Sequence, residues 1–223
     1  MFKILSLSNT LTLSRWLIYD IGTSTYYEGL ASDLHPLVVV AAIILVVTIG
    51  APISGAHYNP ALTIGFWIGG DRVAPSAWLY VVVNCISAFL AHLLIYGLHL
   101  PVDESVTERR GYLGGLPTYP SVGEWCQALV GEFLGTYFAI FIVLYTAMLA
   151  TPPLGTFGPV MVGLGFYASI MTFRSVSGSV LNPGLAFGLW LPAVMFNPSS
   201  MEQNGVVQYW NILLYVAVEV SGI

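Results

Sequence analysis

Two similar stretches constrain the fold of this chain more than any other feature of its sequence. The first runs from Ser54 to Ala61 and reads SGAHYNPA, and the second runs from Ser177 to Gly184 and reads SGSVLNPG. Each one closes a long apolar segment and opens a short one. When the first is shifted by 123 positions, its Ser, Gly, Asn and Pro coincide with those of the second. The repeat therefore predicts two related halves.

The composition predicts that both halves lie in a membrane. Of the 223 residues, 57% are hydrophobic and only 8% are charged, whereas a soluble domain carries about 25% charged residues. This length accommodates one domain of about six spans of ~20 residues with their loops. The net charge of −5 offers no basic face for nucleic acid. Cys85 and Cys126 sit in or beside apolar segments, so we expect them to pack as small hydrophobes, and we expect no metal or cofactor.

The apolar segments predict helices, because a helix satisfies its own backbone polar groups in lipid. Full spans are expected at 37–53, 77–98, 128–150 and 154–173, with a weaker one at 4–21 and a short last one at 209–223. The segments 61–70 and 185–194 have only about ten residues, too few to cross a bilayer. They predict half-helices that enter the membrane and stop partway. Loops are expected at 100–124 and 197–208.

This order predicts an all-α membrane protein with an inverted repeat. Three spans and a half-span occur twice, and an odd number of spans gives the two halves opposite orientations. We expect one domain over 1–223, with a first half at about 1–100 and a second at about 125–223. The first and last helices are expected to be incomplete. Non-helical backbone occurs at membrane depth only where it lines a cavity, so the two Asn-Pro loops predict one.

At these motifs the chain resembles the aquaporin, or major intrinsic protein, family. The first stretch closely resembles the family's first signature, Gly131-Glu132-Phe133 resembles the opening of its fourth helix, and Asn182-Pro183 resembles its second signature. The resemblance covers roughly residues 36–215. It implies six helices and two half-helices around a pore in the lipid bilayer, usually in a homotetramer. It also implies that the pore passes water or small neutral solutes.

The resemblance assigns roles to particular residues. It places the pore motif at Asn59, Pro60, Ala61, Asn182, Pro183 and Gly184. It implies that carbonyls before each asparagine line the pore, at Gly55, Ala56, His57, Tyr58, Gly178, Val180 and Leu181. Glu132 is expected to brace loop backbone rather than to touch solute. The two half-helix N-termini would create a positive potential at the membrane centre, which disfavours cations.

Several positions depart from the family's pattern. The second motif ends in Gly184, which adds backbone freedom at a helix start. Counting from the motifs places the selectivity filter at Val39, Ile170, Ser179 and Leu185, and Leu185 stands where the family usually has an arginine. An apolar filter predicts a wider, less hydrophilic pore than a strict water filter. Ala186 and the Tyr209-Trp210 pair argue against an aquaglyceroporin by lineage.

The leading functional prediction is a passive channel for water or small uncharged solutes, with glycerol, urea, ammonia and peroxide as candidates. The alternative is a non-conducting, aquaporin-like structural membrane protein. A coupled transporter should carry ionisable residues at the midplane, where Glu132 is the only one expected. An enzyme is not expected, because the sequence shows no nucleophile–base set, metal cluster or phosphate loop.

Overall fold

A computed structural model describes residues 30–69, 76–98, 116–148, 157–196 and 198–223. The span predicted at 4–21 and the first part of the loop predicted at 100–124 lie outside the described residues.

The described part of the chain is almost entirely helical. Its seven α-helices are α1 (Leu30–Ser54), α2 (Pro60–Ile68), α3 (Ala77–Leu98), α4 (Val122–Met148), α5 (Gly158–Ser177), α6 (Pro183–Phe196) and α7 (Asn211–Ser221). Among the described residues, three helices, α3, α4 and α5, are long and apolar enough to cross a membrane. Their apolar segments are Ala77–Leu94, Val122–Ala147 and Gly158–Ser177. Their exposed surfaces carry large apolar side chains such as Trp78 and Phe141, as a lipid-facing surface requires.

The two predicted half-helices are confirmed as α2 and α6. With 9 and 14 residues, they are about 14 and 21 Å long at about 1.5 Å per residue. Both lengths fall short of the ~30 Å hydrocarbon core of a bilayer. Each begins at a proline, Pro60 or Pro183. Proline suits this position because an N–H in the first turn of a helix would have no intrahelical acceptor.

Three of the long helices, α1, α4 and α5, extend beyond at least one of their predicted bounds. α4 begins six residues before the predicted start, where the Ser121 Oγ accepts a hydrogen bond from the Glu124 N–H at 3.2 Å. Glu124 also places an acidic side chain in the first turn, where it interacts favourably with the partial positive charge of the helix N-terminus. α5 continues to Ser177, and Gly178 ends it in a left-handed conformation with φ of 84°. The sequence interpretation followed hydrophobicity alone and therefore missed these capping turns.

A short β-hairpin lies in the segment that was predicted as a loop, 197–208. A 3₁₀ turn at Pro198–Met201 leads into Glu202–Gln203, which pairs antiparallel with Val206–Val207. The turn residues Asn204 and Gly205 have φ of 54° and 76°. Asn-Gly is a strong sequence signal for a two-residue hairpin turn with positive φ at both positions. The Asn204-Gly205 pair therefore signals this hairpin in the sequence, whereas the apolar pattern does not.

The helices pack around two apolar clusters that flank the half-helices. The first cluster joins α1, α2, α4 and α5 and includes Ile43, Phe66 and Phe166. The second joins α3, α4, α6 and α7 and includes Ala91 and Leu189. Each half-helix is therefore enclosed by long helices from both halves of the chain, which places its N-terminus inside the protein.

We predict that adding one methyl group to Gly188 destabilises the protein by about 1–3 kcal/mol, because overpacking a tight core costs about that much. A Cβ on Gly188 would lie 2.6 Å from the Cβ and 2.8 Å from the main-chain carbon of Ala88, so α6 and α3 would have to separate. Thermal unfolding in detergent, followed by tryptophan fluorescence, measures the change for Gly188→Ala. The matched control is Gly158→Ala, where no atom lies within 4 Å of the new Cβ. Equal unfolding temperatures for the two variants would contradict the prediction.

Candidate functional site

The two repeated stretches fold into loops with the same backbone pattern. Positive φ occurs at three equivalent places in each loop, namely Gly55 (80°), Ala56 (50°) and Tyr58 (47°), and Gly178 (84°), Ser179 (51°) and Leu181 (54°). A side chain in this left-handed region costs roughly 1–2 kcal/mol. These positive φ angles therefore persist only because surrounding contacts hold the loops. Backbone strain of this kind clusters at functional sites.

A glycine begins each loop by ending the preceding long helix. The Gly55 N–H donates to the Ala51 carbonyl, and the Gly178 N–H donates to the Arg174 carbonyl, both at 3.1 Å. Glycine is favoured at such a left-handed helix end, because it lacks a Cβ. Each loop then runs for four residues before the next helix begins.

An asparagine ends each loop by capping the half-helix that follows. The Asn59 Oδ1 accepts a hydrogen bond from the Ala61 N–H at 2.9 Å. The Asn182 Oδ1 accepts from the N–H groups of Gly184 at 3.0 Å and Leu185 at 3.3 Å. These bonds satisfy N–H groups that a helix N-terminus leaves without intrahelical partners.

The same two asparagines join the loops to each other. The Asn59 Nδ2 donates to the Leu181 carbonyl at 2.9 Å, and the Asn182 Nδ2 donates to the Tyr58 carbonyl at 3.2 Å. Each asparagine thus bonds the residue that precedes the other asparagine. A side-chain amide has two N–H groups, and this contact uses one of them. The N-termini of α2 and α6, and their partial positive charges, consequently meet at one place.

Gly184 allows the two half-helices to approach closely. It is the second residue of α6 and has a helical backbone. A Cβ at this position would lie 3.0 Å from the Cδ and 3.3 Å from the Cγ of Pro60. The glycine therefore matters for the space that it leaves beside Pro60. The neighbouring motif residues Ala61 and Pro183 are buried.

Glu132 holds the backbone of the second loop. Its side chain is 0% exposed on α4. Its Oε1 accepts from the Val180 N–H at 3.0 Å, and its Oε2 accepts from the Leu181 N–H at 2.8 Å. Both oxygens of the carboxylate thus accept hydrogen bonds from the loop backbone.

Glu219 is a second buried carboxylate at this loop, and the sequence interpretation missed it. It is 0% exposed on α7, and its Oε1 accepts from the Asn182 N–H at 2.8 Å. The expectation that Glu132 is the only ionisable residue at this depth was therefore wrong. An acidic residue inside an apolar segment was the available signal, since such residues are rare and functional in membranes.

Tyrosines complete the support on the second loop's side. The Tyr215 hydroxyl donates to the Ser177 carbonyl at 3.0 Å and lies 3.4 Å from the Tyr119 hydroxyl. Burial raises the pKa of the Tyr119 phenol above its usual value, so it remains neutral at physiological pH. The phenol network therefore adds no charge beside the two carboxylates.

Side chains of α2 and α3 hold the first loop. The Tyr80 hydroxyl donates to the Ser54 carbonyl at 2.9 Å. The His57 Nδ1 lies 3.2 Å from the Thr63 Oγ1, and the imidazole packs against the rings of Phe66 and Tyr80, with centroids 4.6 and 4.8 Å away. Aromatic and hydroxyl groups thus hold the described part of this loop.

A cavity of about 630 Å³ opens beside the first loop and reaches both asparagines. Its wall includes four predicted carbonyl residues, Gly55, Ala56, His57 and Tyr58. Apolar side chains of α1, α4 and α5 form most of the remaining wall, among them Ile43, Val47, Val143, Val162 and Phe166. The cavity wall therefore combines polar groups of the first loop and both asparagines with a larger number of apolar side chains.

The four predicted filter residues do not all line this cavity. Leu185 does, whereas Val39, Ile170 and Ser179 are buried outside its wall. Val39 and Ile170 belong to the apolar cluster of α1 and α5. The Ser179 hydroxyl donates to the Ile170 carbonyl at 3.4 Å, so the one hydroxyl of the set contacts a second member of it. The predicted carbonyl residues Gly178, Val180 and Leu181 also lie outside this cavity wall.

We predict that Glu132→Ala strongly destabilises the second loop, because two buried N–H groups lose their acceptors at about 1–3 kcal/mol each. Thermal unfolding in detergent gives the stability, and limited proteolysis locates the loosened segment. Glu124→Ala is the control, since Glu124 is an exposed carboxylate on the same helix. A loss for Glu132→Ala no greater than that for the control would contradict the bracing role.

Comparison with known proteins agrees with this geometry. The family model described as Major intrinsic protein matches residues 17–210. Aquaporin AqpM of Methanothermobacter thermautotrophicus is 30% identical over 175 residues, which are 76% of this chain and 64% of that protein. Probable aquaporin AqpM of Archaeoglobus fulgidus is 34% identical over 143 residues, 62% of this chain and 54% of that protein. This chain thus spans less than two thirds of the length of these two relatives.

A plant relative and a solved structure extend the comparison. Probable aquaporin TIP2-2 of Arabidopsis thaliana is 31% identical over 202 residues, which are 85% of this chain and 73% of that protein. The X-ray structure of the aquaglyceroporin from Plasmodium falciparum superposes with a TM-score of 0.75 and 18% identity, covering 99% of this chain and 91% of that one. At that identity the likeness shows the fold alone, which is the predicted all-α membrane fold.

Proposed function

Because the chain belongs to the major intrinsic protein family, we propose that it is a passive channel for water and small uncharged solutes. Family membership and the apolar helices make it a multi-pass integral membrane protein. The observation that supports the proposal best is the pair of hydrogen bonds from Asn59 and Asn182 to the opposite loops, since both asparagines line the cavity. The relatives reported above are aquaporins by name.

The site can replace the hydrogen bonds that a small neutral solute makes in water. The second N–H of each asparagine side chain can donate to a passing oxygen, and we propose that carbonyls of the first-loop residues in the cavity wall act as acceptors. A cation gains less, because two helix N-termini present partial positive charge at the same point. The arrangement requires no chemical step, in keeping with a channel rather than an enzyme.

The apolar surroundings favour solutes larger than water. Leu185 lies in the cavity wall at the position where the family pattern carries a charge, and most of the wall is apolar. Glycerol and urea are the solutes that we propose first, with ammonia and peroxide next. The exposed apolar surface of the helices suits a lipid bilayer, and we propose a homotetramer in it, as the family resemblance implies.

Proteoliposomes provide the direct test. The purified chain is reconstituted into vesicles, and stopped-flow light scattering records shrinkage in a sucrose gradient for water and reswelling in glycerol or urea gradients. We expect permeability above that of protein-free vesicles, with no dependence on an ion gradient. No flux above the lipid background for water, glycerol, urea, ammonia or peroxide would reject the channel and favour the non-conducting alternative.

The two buried glutamates do not favour a coupled transporter. Both oxygens of Glu132 and one oxygen of Glu219 accept hydrogen bonds from loop backbone. If such a carboxylate bound a proton or an ion, it would lose its hydrogen bonds to the loop backbone and release the loop. Saturable uptake that requires an ion gradient in the same vesicles would support the transporter instead.

We predict that Leu185→Arg lowers glycerol and urea permeability by about tenfold or more, which corresponds to a barrier increase of about 1.4 kcal/mol. The guanidinium extends a charged, hydrated group into the cavity that Leu185 now lines with an apolar side chain. The water permeability should fall less, because water is smaller. Leu185→Met is the matched control, since it conserves volume and polarity. An unchanged ratio of glycerol to water permeability would contradict the prediction.

A further inference from the structure

We propose that Glu219 is a positioning residue that sets the place of Asn182 in the channel. This inference rests on the proposed channel function, and it begins from one contact, the 2.8 Å hydrogen bond from the Asn182 main-chain N–H to the Glu219 Oε1. The carboxylate is 0% exposed and reaches the motif from α7. It touches the backbone of Asn182, and it acts on solute only through that residue.

The hydrogen bond at the Asn182 N–H fixes the main chain from which the Asn182 side chain extends. The side chain of Asn182 caps α6 through its Oδ1 and reaches the Tyr58 carbonyl through its Nδ2 at 3.2 Å. Both of these contacts leave from the same Cα. Fixing the adjacent nitrogen therefore fixes the origin of the side chain that lines the cavity. At membrane depth no bulk water replaces a lost acceptor.

Glu132 alone does not cover this point. Its two oxygens accept from Val180 and Leu181, and the third consecutive N–H, that of Asn182, donates to an acceptor on another element. Glu219 supplies it. Three successive N–H groups are thus shared between α4 and α7, and the loop is held from two directions.

The end of α7 is firmly packed, so it can position another residue. A Cβ on Gly222 would lie 2.9 Å from the Phe133 carbonyl oxygen, which shows that α7 lies directly against α4. The Ile223 Cγ2 would lie 3.3 Å from a Cβ on Gly65 in α2. Glu219 therefore stands on a helix end that contacts both α4 and the first half-helix.

Two conservative variants have different expected effects. Glu219→Gln removes the charge and keeps an oxygen at the same distance along the side chain, whereas Glu219→Asp keeps the charge and withdraws the oxygen by one carbon–carbon bond. Amide hydrogen exchange in nanodiscs, read by mass spectrometry over residues 178–185, follows the Asn182 N–H. For Glu219→Asp we expect protection in this segment to fall by about tenfold, or about 1.4 kcal/mol. For Glu219→Gln we expect protection close to that of the unsubstituted protein.

The same variants are then compared in proteoliposomes. We expect Glu219→Asp to change the ratio of glycerol to water permeability and Glu219→Gln to preserve it. Glu202→Gln and Glu202→Asp serve as controls, because Glu202 is an exposed carboxylate in the hairpin. A general loss of structure would alter both permeabilities and the exchange of all helices together.

Each outcome decides the proposal. Loss of protection confined to 178–185 in the Asp variant, with rescue by Gln, supports it. Equal effects of Asp and Gln, or a loss that extends equally to 55–61 and to α4 and α5, overturns it. If the unsubstituted protein conducts neither water nor glycerol, the proposed function fails, and the exchange comparison still decides the role of Glu219.

Discussion

Backbone that leaves its helix at membrane depth must find every hydrogen bond within the protein, and the rest of this structure depends on that requirement. Both loops end beside an asparagine whose side chain serves two purposes. One atom caps the half-helix, and the other bonds the opposite loop. The same few atoms therefore satisfy the helix ends, join the two halves and present polar groups to the cavity.

The two halves meet this requirement with different chemistry. In the second loop, buried carboxylates accept three consecutive backbone N–H groups. Around the described part of the first loop, a phenol and an imidazole provide the contacts. Ionised carboxylates make stronger, charge-assisted hydrogen bonds than neutral acceptors do, and both glutamates contact the loop that leads into α6. The backbone symmetry of the repeat is thus close, whereas the side chains that support it differ.

Much of the fold was predictable because it follows from periodicity and chemistry within single segments. The repeat predicted two equivalent loops. The positive φ angles of the first loop, between Gly55 and Tyr58, occur at the equivalent positions of the second, between Gly178 and Leu181. The span predicted at 77–98 has the observed bounds. The start of α4 was missed because it depends on a cap at Ser121, and the hairpin was missed although Asn204-Gly205 signalled it.

The site was less predictable, because it depends on contacts between distant segments. Glu132 falls at a position that the family resemblance marks, whereas Glu219 has no such marker, and a lone acidic residue does not identify its partner. Counting from the motifs also does not reveal that Leu185 lines the cavity while Val39 and Ile170 lie outside its wall. Which side of a helix faces a cavity depends on the neighbouring helices.

The reciprocal bonds between the loops also have a consequence for biosynthesis. The first motif is synthesised early, yet its Asn59 amide has its acceptor at Leu181, and the Asn182 N–H has its acceptor at Glu219. The acceptor of the Asn59 amide lies 122 residues further along the chain, and synthesis proceeds at about 5–20 residues per second. The first half-helix waits for many seconds with an incomplete set of bonds.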